Sequence, residues 1–221
     1  RVQWNMGSKF RILPRCFGRY TFDDEEIIAA EIEEICVSTS SLSLDDYYEC
    51  RTFALTEGLH YQDKILFELY GFLKFFNILP SNLIPELHKK RLTFSQGITD
   101  LYQSFDHDTR HELYDDREKL SQLIKTDRNI IDKHISGELG VNVLFKHRAI
   151  STLNLIDDIY DAAFSVSFEL LEKQDPESYI KYKPFLEELK IFCKLQKRNV
   201  FDYDQIFEHT FNYDFQKLIH D

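Results

Sequence analysis

Three groups of side chains have the types and the spacing to do chemistry. In the string Asp157-Asp158-Ile159-Tyr160-Asp161, a helix would set Asp157 and Asp161 four residues apart and Asp158 and Asp161 three apart. All three carboxylates would then share a face with Asn154 and Ser165. Hard oxygen ligands at that spacing suit magnesium bridged by a diphosphate. His107 and His111 are also four apart, a spacing at which two imidazoles on one helix can grip a single zinc ion. Arg11 and Arg15 flank Pro14, and a guanidinium pair so placed can take a carboxylate or phosphate bidentately.

Each group has a plainer reading. The aspartate string resembles the aspartate-rich motif of terpene synthases and prenyltransferases. Those enzymes need a second metal-binding motif on a facing helix, and no N-D-x-x-S-x-x-x-E string follows Asp161. In a chain with 38 acids an acidic, solvated helix face is the expected role, with Asp157 and Asp161 outward and Ile150, Leu153, Ile156 and Tyr160 toward the core. The residue after His107 is Asp108, not the Glu of H-E-x-x-H, and no third ligand is signalled, so a surface pair is expected. No metal is expected to bind the chain tightly. Asp115, Asp116 and Glu118 read as another solvated face. No local motif suggests a Ser, His and acid trio. Anchoring a barrel edge is as good a role for Arg11 and Arg15 as binding an anion.

The composition bounds what these groups can belong to. With 43% hydrophobic and 29% charged residues over 221 positions, this is a soluble globular chain. Only 7 Gly are present, and no G-x-G-x-x-G or P-loop can be written. The net charge is −11, yet Arg1, Lys9, Arg11, Arg15 and Arg19 all precede the first acid, so the body is more acidic than the total. Such a body repels phosphate backbones, and nucleic acid is not an expected partner. Cys16, Cys36, Cys50 and Cys193 have neither C-x-x-C nor C-x-x-x-C-x-x-C spacing. Reduced, mostly buried thiols in a cytoplasmic protein are expected. The single Met is Met6, so the chain is expected to be a fragment of something longer.

The expected scaffold is mainly α with a short N-terminal β extension. Residues 9–13 read as an extended run stopped by Pro14, and residues 30–37 as a strand, although residues 23–36 also pass as a helix. Residues 40–43 form a polar hinge. Ser43-Leu44-Asp45-Asp46 then opens a helix as a capping-box variant. Helices are expected over 61–78, 82–105 with Pro85 in the first turn, 109–125 and 127–136. A break at Gly137–Gly140 precedes a long periodic stretch, 142–173. Pro176 starts a further segment, which Pro184 interrupts or resets. Residues 201–221 are aromatic enough to dock. The helix over 61–78 is too short and too charged for a membrane span.

The segment Phe10-Arg11-Ile12-Leu13-Pro14-Arg15-Cys16-Phe17-Gly18-Arg19-Tyr20 is distinctive. It is followed by Glu31-Ile32-Glu33-Glu34-Ile35-Cys36-Val37-Ser38-Thr39 and by Ser41-Leu42-Ser43-Leu44-Asp45-Asp46-Tyr47. Over about residues 9–51 this order resembles the region C-terminal to the catalytic barrel in cobalamin-binding radical SAM proteins. The resemblance implies a preceding barrel domain in the same polypeptide, a [4Fe–4S] cluster, S-adenosylmethionine and cobalamin. The cluster and cobalamin motifs do not occur in this sequence, so no catalytic residue is carried over. Residues 1–40 would be the strand-containing end of the barrel, and residues 41–221 a helical C-terminal domain supporting or covering the substrate side. Two alternatives stand beside it: a stand-alone helical interaction module, and a magnesium-dependent isoprenoid diphosphate enzyme using Asp157, Asp158 and Asp161.

Overall fold

The N-terminal residues pair as a hairpin in the computed structural model, which describes residues 1–197, 204 and 206–216. Strand β1 (Gly7–Phe22) runs antiparallel to β2 (Glu25–Ser38), so the expected extended segments at 9–13 and 30–37 are both present and longer. The β-branched content of β2 prevails over its helical alternative. The turn is Asp23-Asp24, both with positive φ (46° and 64°), the geometry that a two-residue hairpin of right-handed twist demands. Pro14 does not stop β1. The pairing steps from Ile12↔Ile32 to Phe17↔Ala30, and the extra residues bulge out around Pro14 and Arg15, whose φ is 66°. A bulge accommodates a residue with no N–H to give the ladder.

Helices follow: α1 (Leu44–Glu57), α2 (Phe67–Leu73), α3 (Pro80–Lys90), α4 (Gln96–His111), α5 (Arg117–Thr126), α6 (Arg128–Ile135), α7 (Val143–Asn154), α8 (Ile156–Gln174) and α9 (Pro176–Lys197). The capping box at the start of α1 is present: Ser43 N donates to Asp46 Oδ2 (2.9 Å), and Asp46 N donates to Ser43 Oγ (3.1 Å). The Ser43 hydroxyl also donates to Asp46 Oδ2 (2.7 Å), and this bond together with that from Ser43 N holds the Asp46 carboxyl below its ordinary pKa.

Four helices expected from periodicity are divided, by a backbone dihedral or by side chains that compete with the backbone; 109–125 is one of them, since α4 ends at His111 and α5 begins at Arg117. The 61–78 stretch breaks at Lys64 (φ 54°), and only Phe67–Leu73 is α-helical. In 82–105, Thr93 Oγ1 donates to the Lys90 carbonyl (2.8 Å), while Ser95 Oγ caps the next helix at Ile98 N (3.3 Å). The helix before this break starts at Pro80, which puts Pro85 beyond its first turn. In 142–173, Ser151 and Thr152 hydroxyls bond back to the Arg148 carbonyl (2.7 and 3.0 Å), and Leu155 leaves helical geometry. The converse holds in α9, which runs through Pro184 without ending.

The contacts divide the chain into two compact units, Arg1–Thr52 with Ser104–Lys146 and Phe53–Gln103 with His147–Asp221. In the first, Ile12 of the hairpin is buried with Leu120 and Ile124 of α5 and Ile130 and Ile131 of α6. Asp116 and Asp127 cap those two helices through their carboxylates, and Asp115, Asp116 and Glu118 are exposed, so Asp116 caps α5 from the solvated face expected there. A single antiparallel bridge, Phe10 with Tyr114 (2.8 and 2.7 Å), joins β1 to the segment before α5.

The second unit centres on Tyr160, Ala163 and Phe164 of α8, with Leu66, Leu69 and Phe72 from α2 and its approach, and Leu186, Leu189 and Cys193 of α9. Ile156 and Tyr160 face this core as expected, whereas Leu153 is 45% exposed because the chain turns at Leu155. Ile206 (87%), Phe207 and Tyr213 are exposed, whereas Phe215 is buried against Phe185 and Phe192 and Phe211 packs on Phe192, so these last two residues of the C-terminal segment dock as expected. Phe201, Tyr203, Leu218 and Ile219, expected to do the same, lie outside the described residues.

Candidate functional site

The first unit contains a cleft of about 120 Å³ at the C-terminal end of α4. The hairpin supplies Ile12 and Pro14 as one wall. The last turn of α4 supplies His107, Asp108, His111 and Glu112. His134 enters from α6, and the turn after it contributes Glu138, Leu139, Gly140 and Val141. Val143 and Lys146 from the start of α7 complete the lining.

Gly140 makes the close packing here possible. Its φ is +71°, and a Cβ at this position would stand 2.4 Å from His134 Cδ2 and 2.6 Å from Phe17 Cε1. Only glycine meets both demands without strain. His134 is buried, its ring edge-on to Phe17 with centroids 4.9 Å apart. Its Nδ1–H donates to the Ile130 carbonyl at 2.6 Å. His107 and His111 are exposed, and their rings stack 3.9 Å apart at 19°. His111 Nδ1–H donates to the His107 carbonyl at 2.8 Å. A carbonyl only accepts, so Nδ1 of His111 and of His134 must carry the proton, and each neutral ring keeps Nε2 as an acceptor.

The charged side chains of the cleft are already paired. Lys146 Nζ meets Asp108 Oδ2 at 2.7 Å. Glu112 takes Arg11 Nη1 at 2.9 Å and Arg51 at 3.6 Å, and Lys133 reaches Glu138 at 3.3 Å. Burial pushes the Glu112 carboxyl above the ordinary carboxylate range, against the pull of Arg11 and Arg51. Arg11 also donates to Glu33 at 2.9 Å. Its two carboxylate partners outweigh its own burial and raise its pKa. Arg11 is therefore occupied from within the fold, while Arg15 is exposed at the bulge, and the expected anion-binding pair serves as one anchor and one surface residue.

The aspartate string lies in the second unit. Asp161 is exposed and meets Lys190 (3.2 Å) and Lys194 (2.8 Å) of α9. Burial acts against its charge, but the two lysines prevail and hold the carboxyl below its ordinary pKa. Asp157 and Asp158 are half-buried, so Asp157 does not share the outward position of Asp161. Among the described residues, no three His, Cys, Asp or Glu side chains stand together as a metal-ligand set. All four cysteines are free, and only Cys193 is buried; Cys36 and Cys50 are exposed, contrary to the expectation of mostly buried thiols. These residues do not fit an iron–sulfur cluster, and no step through one follows from this chain.

No protein family, curated protein or solved structure matches this chain.

Two polar networks of the second unit were not legible in the sequence. Thr56 Oγ1 lies 2.8 Å from both His88 Nδ1 and Tyr102 Oη, joining α1, α3 and α4. Burial pushes the Tyr102 hydroxyl up to about 12. His60 sits in a single π-helical turn, Gly58–Gln62, with Nδ1 on the Thr56 carbonyl at 2.9 Å. Its Nε2 is buried with no hydrogen-bond partner among the described residues, and burial lowers the imidazole pKa to about 4. In the cleft, sequence reasoning found His107 and His111 but missed His134 and Lys146. The available signal was the Gly137–Gly140 break, whose positive φ values turn the chain back over His134. No helix of the described residues is long and apolar enough to cross a membrane.

Proposed function

We propose that this chain is the C-terminal, mainly helical part of a cytoplasmic radical SAM enzyme that also has a cobalamin-binding domain, and that it supports or covers the substrate side of the catalytic barrel. The observation that carries the reading is the make-up of the cleft. The segment with the family resemblance supplies Ile12 and Pro14 as its wall, while helices after the resemblance supply the imidazoles and the Asp108–Lys146 pair. A module that adds binding surface to a catalytic domain is built in this way, with its ligand-facing groups on a rigid frame.

The hairpin supports the same reading. Its far end exposes Tyr20, Phe22 and Ile27, which are 59%, 68% and 47% accessible, around a polar Asp23-Asp24 turn. Apolar side chains gathered at a strand end suit burial against another domain, here the preceding barrel. On this reading the [4Fe–4S] cluster, S-adenosylmethionine and cobalamin are bound by other parts of the polypeptide. The test is the coding sequence upstream of Arg1. A C-x-x-x-C-x-x-C motif in frame is the expected result, and an unrelated domain there would overturn the assignment.

A further inference from the structure

We propose that the cleft at the end of α4 is a binding site for an uncharged ligand of one ring, bearing a hydroxyl that donates a hydrogen bond. The proposal deepens the reading above and rests on it only in calling that ligand a substrate; recognition itself is a property of this chain. Size is the first argument. A cavity of about 150 Å³ holds a benzene ring, and this cleft of about 120 Å³, open on one side, is of the same scale.

Charge is the second. Asp108 is satisfied by Lys146, Glu112 by Arg11 and Arg51, and Glu138 by Lys133. An anionic ligand would have to displace a carboxylate from its cation, and an ammonium would have to displace a cation from its carboxylate. Each exchange gives up one formed pair for another with little net gain, so an added charge brings a ligand no advantage in this cleft.

Hydrogen-bonding polarity is the third. With Nδ1–H of His111 and His134 spent on backbone carbonyls, these two rings offer a ligand Nε2 acceptors. The complement of an acceptor is an O–H donor, and Ile12, Pro14, Leu139, Val141 and Val143 offer apolar surface to the ring that carries it. A site built on an acceptor rejects the analogue that lacks the donor.

The test uses four probes of one shape: phenol, benzene, benzoate and benzylammonium. Each is titrated into the chain at pH 8, above the ordinary imidazole range, while the imidazole Cε1–H resonances are followed by NMR. Phenol is expected to shift the resonances of His111 and His134 saturably, with a Kd of about a millimolar. The other three probes are expected to bind at least about fivefold more weakly. His111→Phe keeps a ring on an exposed helix face but removes one of the two acceptors, and should weaken phenol by at least about threefold while leaving benzene unchanged. Gly140→Val should abolish saturation for every probe. Should that variant fail to fold, the His111→Phe comparison decides alone. Benzoate or benzylammonium binding as tightly as phenol, phenol unaffected by His111→Phe, or no saturable shift would overturn the proposal. None of these results depends on what lies upstream of Arg1, so failure here and failure of the family reading are distinguishable.

Discussion

The two units hold themselves together by different means. In the first, Ile12 of the hairpin is buried with Leu120, Ile124, Ile130 and Ile131, Phe10, Phe17, Ile28 and Ile32 pack on this cluster half-buried, and ion pairs add to the fastening. Arg11 reaches Glu33 and Glu112, Lys9 reaches Asp115 at 2.5 Å, and Arg19 reaches Glu26 and Asp132. In the second, a continuous aromatic and aliphatic core runs through α2, α8 and α9, and the C-terminal segment adds Phe211 and Phe215. Exposed or half-exposed ion pairs each contribute little, whereas each large buried side chain contributes a few kcal/mol. The second unit is therefore expected to be the more stable, and the first has the open cleft lined by His107, His111 and His134. Stability and recognition are carried by separate regions of one chain.

The comparison can be broken most directly in the second core. Phe164 is fully buried, so Phe164→Ala should cost about 3–5 kcal/mol in urea unfolding. A loss below about 1 kcal/mol would show that this core is not the dominant one. A pH series sharpens the same point. The His60 imidazole has an ordinary pKa of 6.5, lowered to about 4 in the fold. Between those values the unfolded chain binds the proton and the folded chain does not. Stability should therefore fall by about 3 kcal/mol as pH drops through that window. A His60→Leu variant should lose the slope, and a wild-type curve flat from pH 7 to 4 would contradict the burial of a neutral imidazole.

Smaller effects belong to the first unit. Gly140→Ala should cost about 2 kcal/mol, from the positive φ and the crowding of His134 and Phe17. Hydrogen exchange should show the loss in α5, α6 and the hairpin, with α8 and α9 unchanged; uniform deprotection would merge the two regions into one. Asp116→Ala removes the cap of α5 and should cost about 1 kcal/mol, again read in the first unit. No change would return Asp116 to a plain solvated role.

What the sequence revealed follows from the range of the physics involved. Local signals worked: the Ser43–Asp46 cap, the extended segments on either side of the hairpin turn and the Gly137–Gly140 break all lie within a few residues of their cause. Periodicity overran at Lys64, Thr93 and Leu155, where a side chain or a single dihedral ends a helix that the apolar pattern would continue. The cleft was half legible. His107 and His111 announce themselves by spacing, but His134 and Lys146 join them only through folding of the chain at Gly140 and the start of α7. The Arg11 pairing with Glu112 spans about a hundred residues, and no window along the sequence contains both.

The role proposed for this chain is to serve a radical SAM barrel. The most direct measurement is made on the full polypeptide, purified without oxygen, reduced and given S-adenosylmethionine. Release of 5′-deoxyadenosine that disappears when the upstream C-x-x-x-C-x-x-C cysteines are changed to Ala is the predicted result; a full-length protein with no such motif, or one with the motif that releases none, would contradict it.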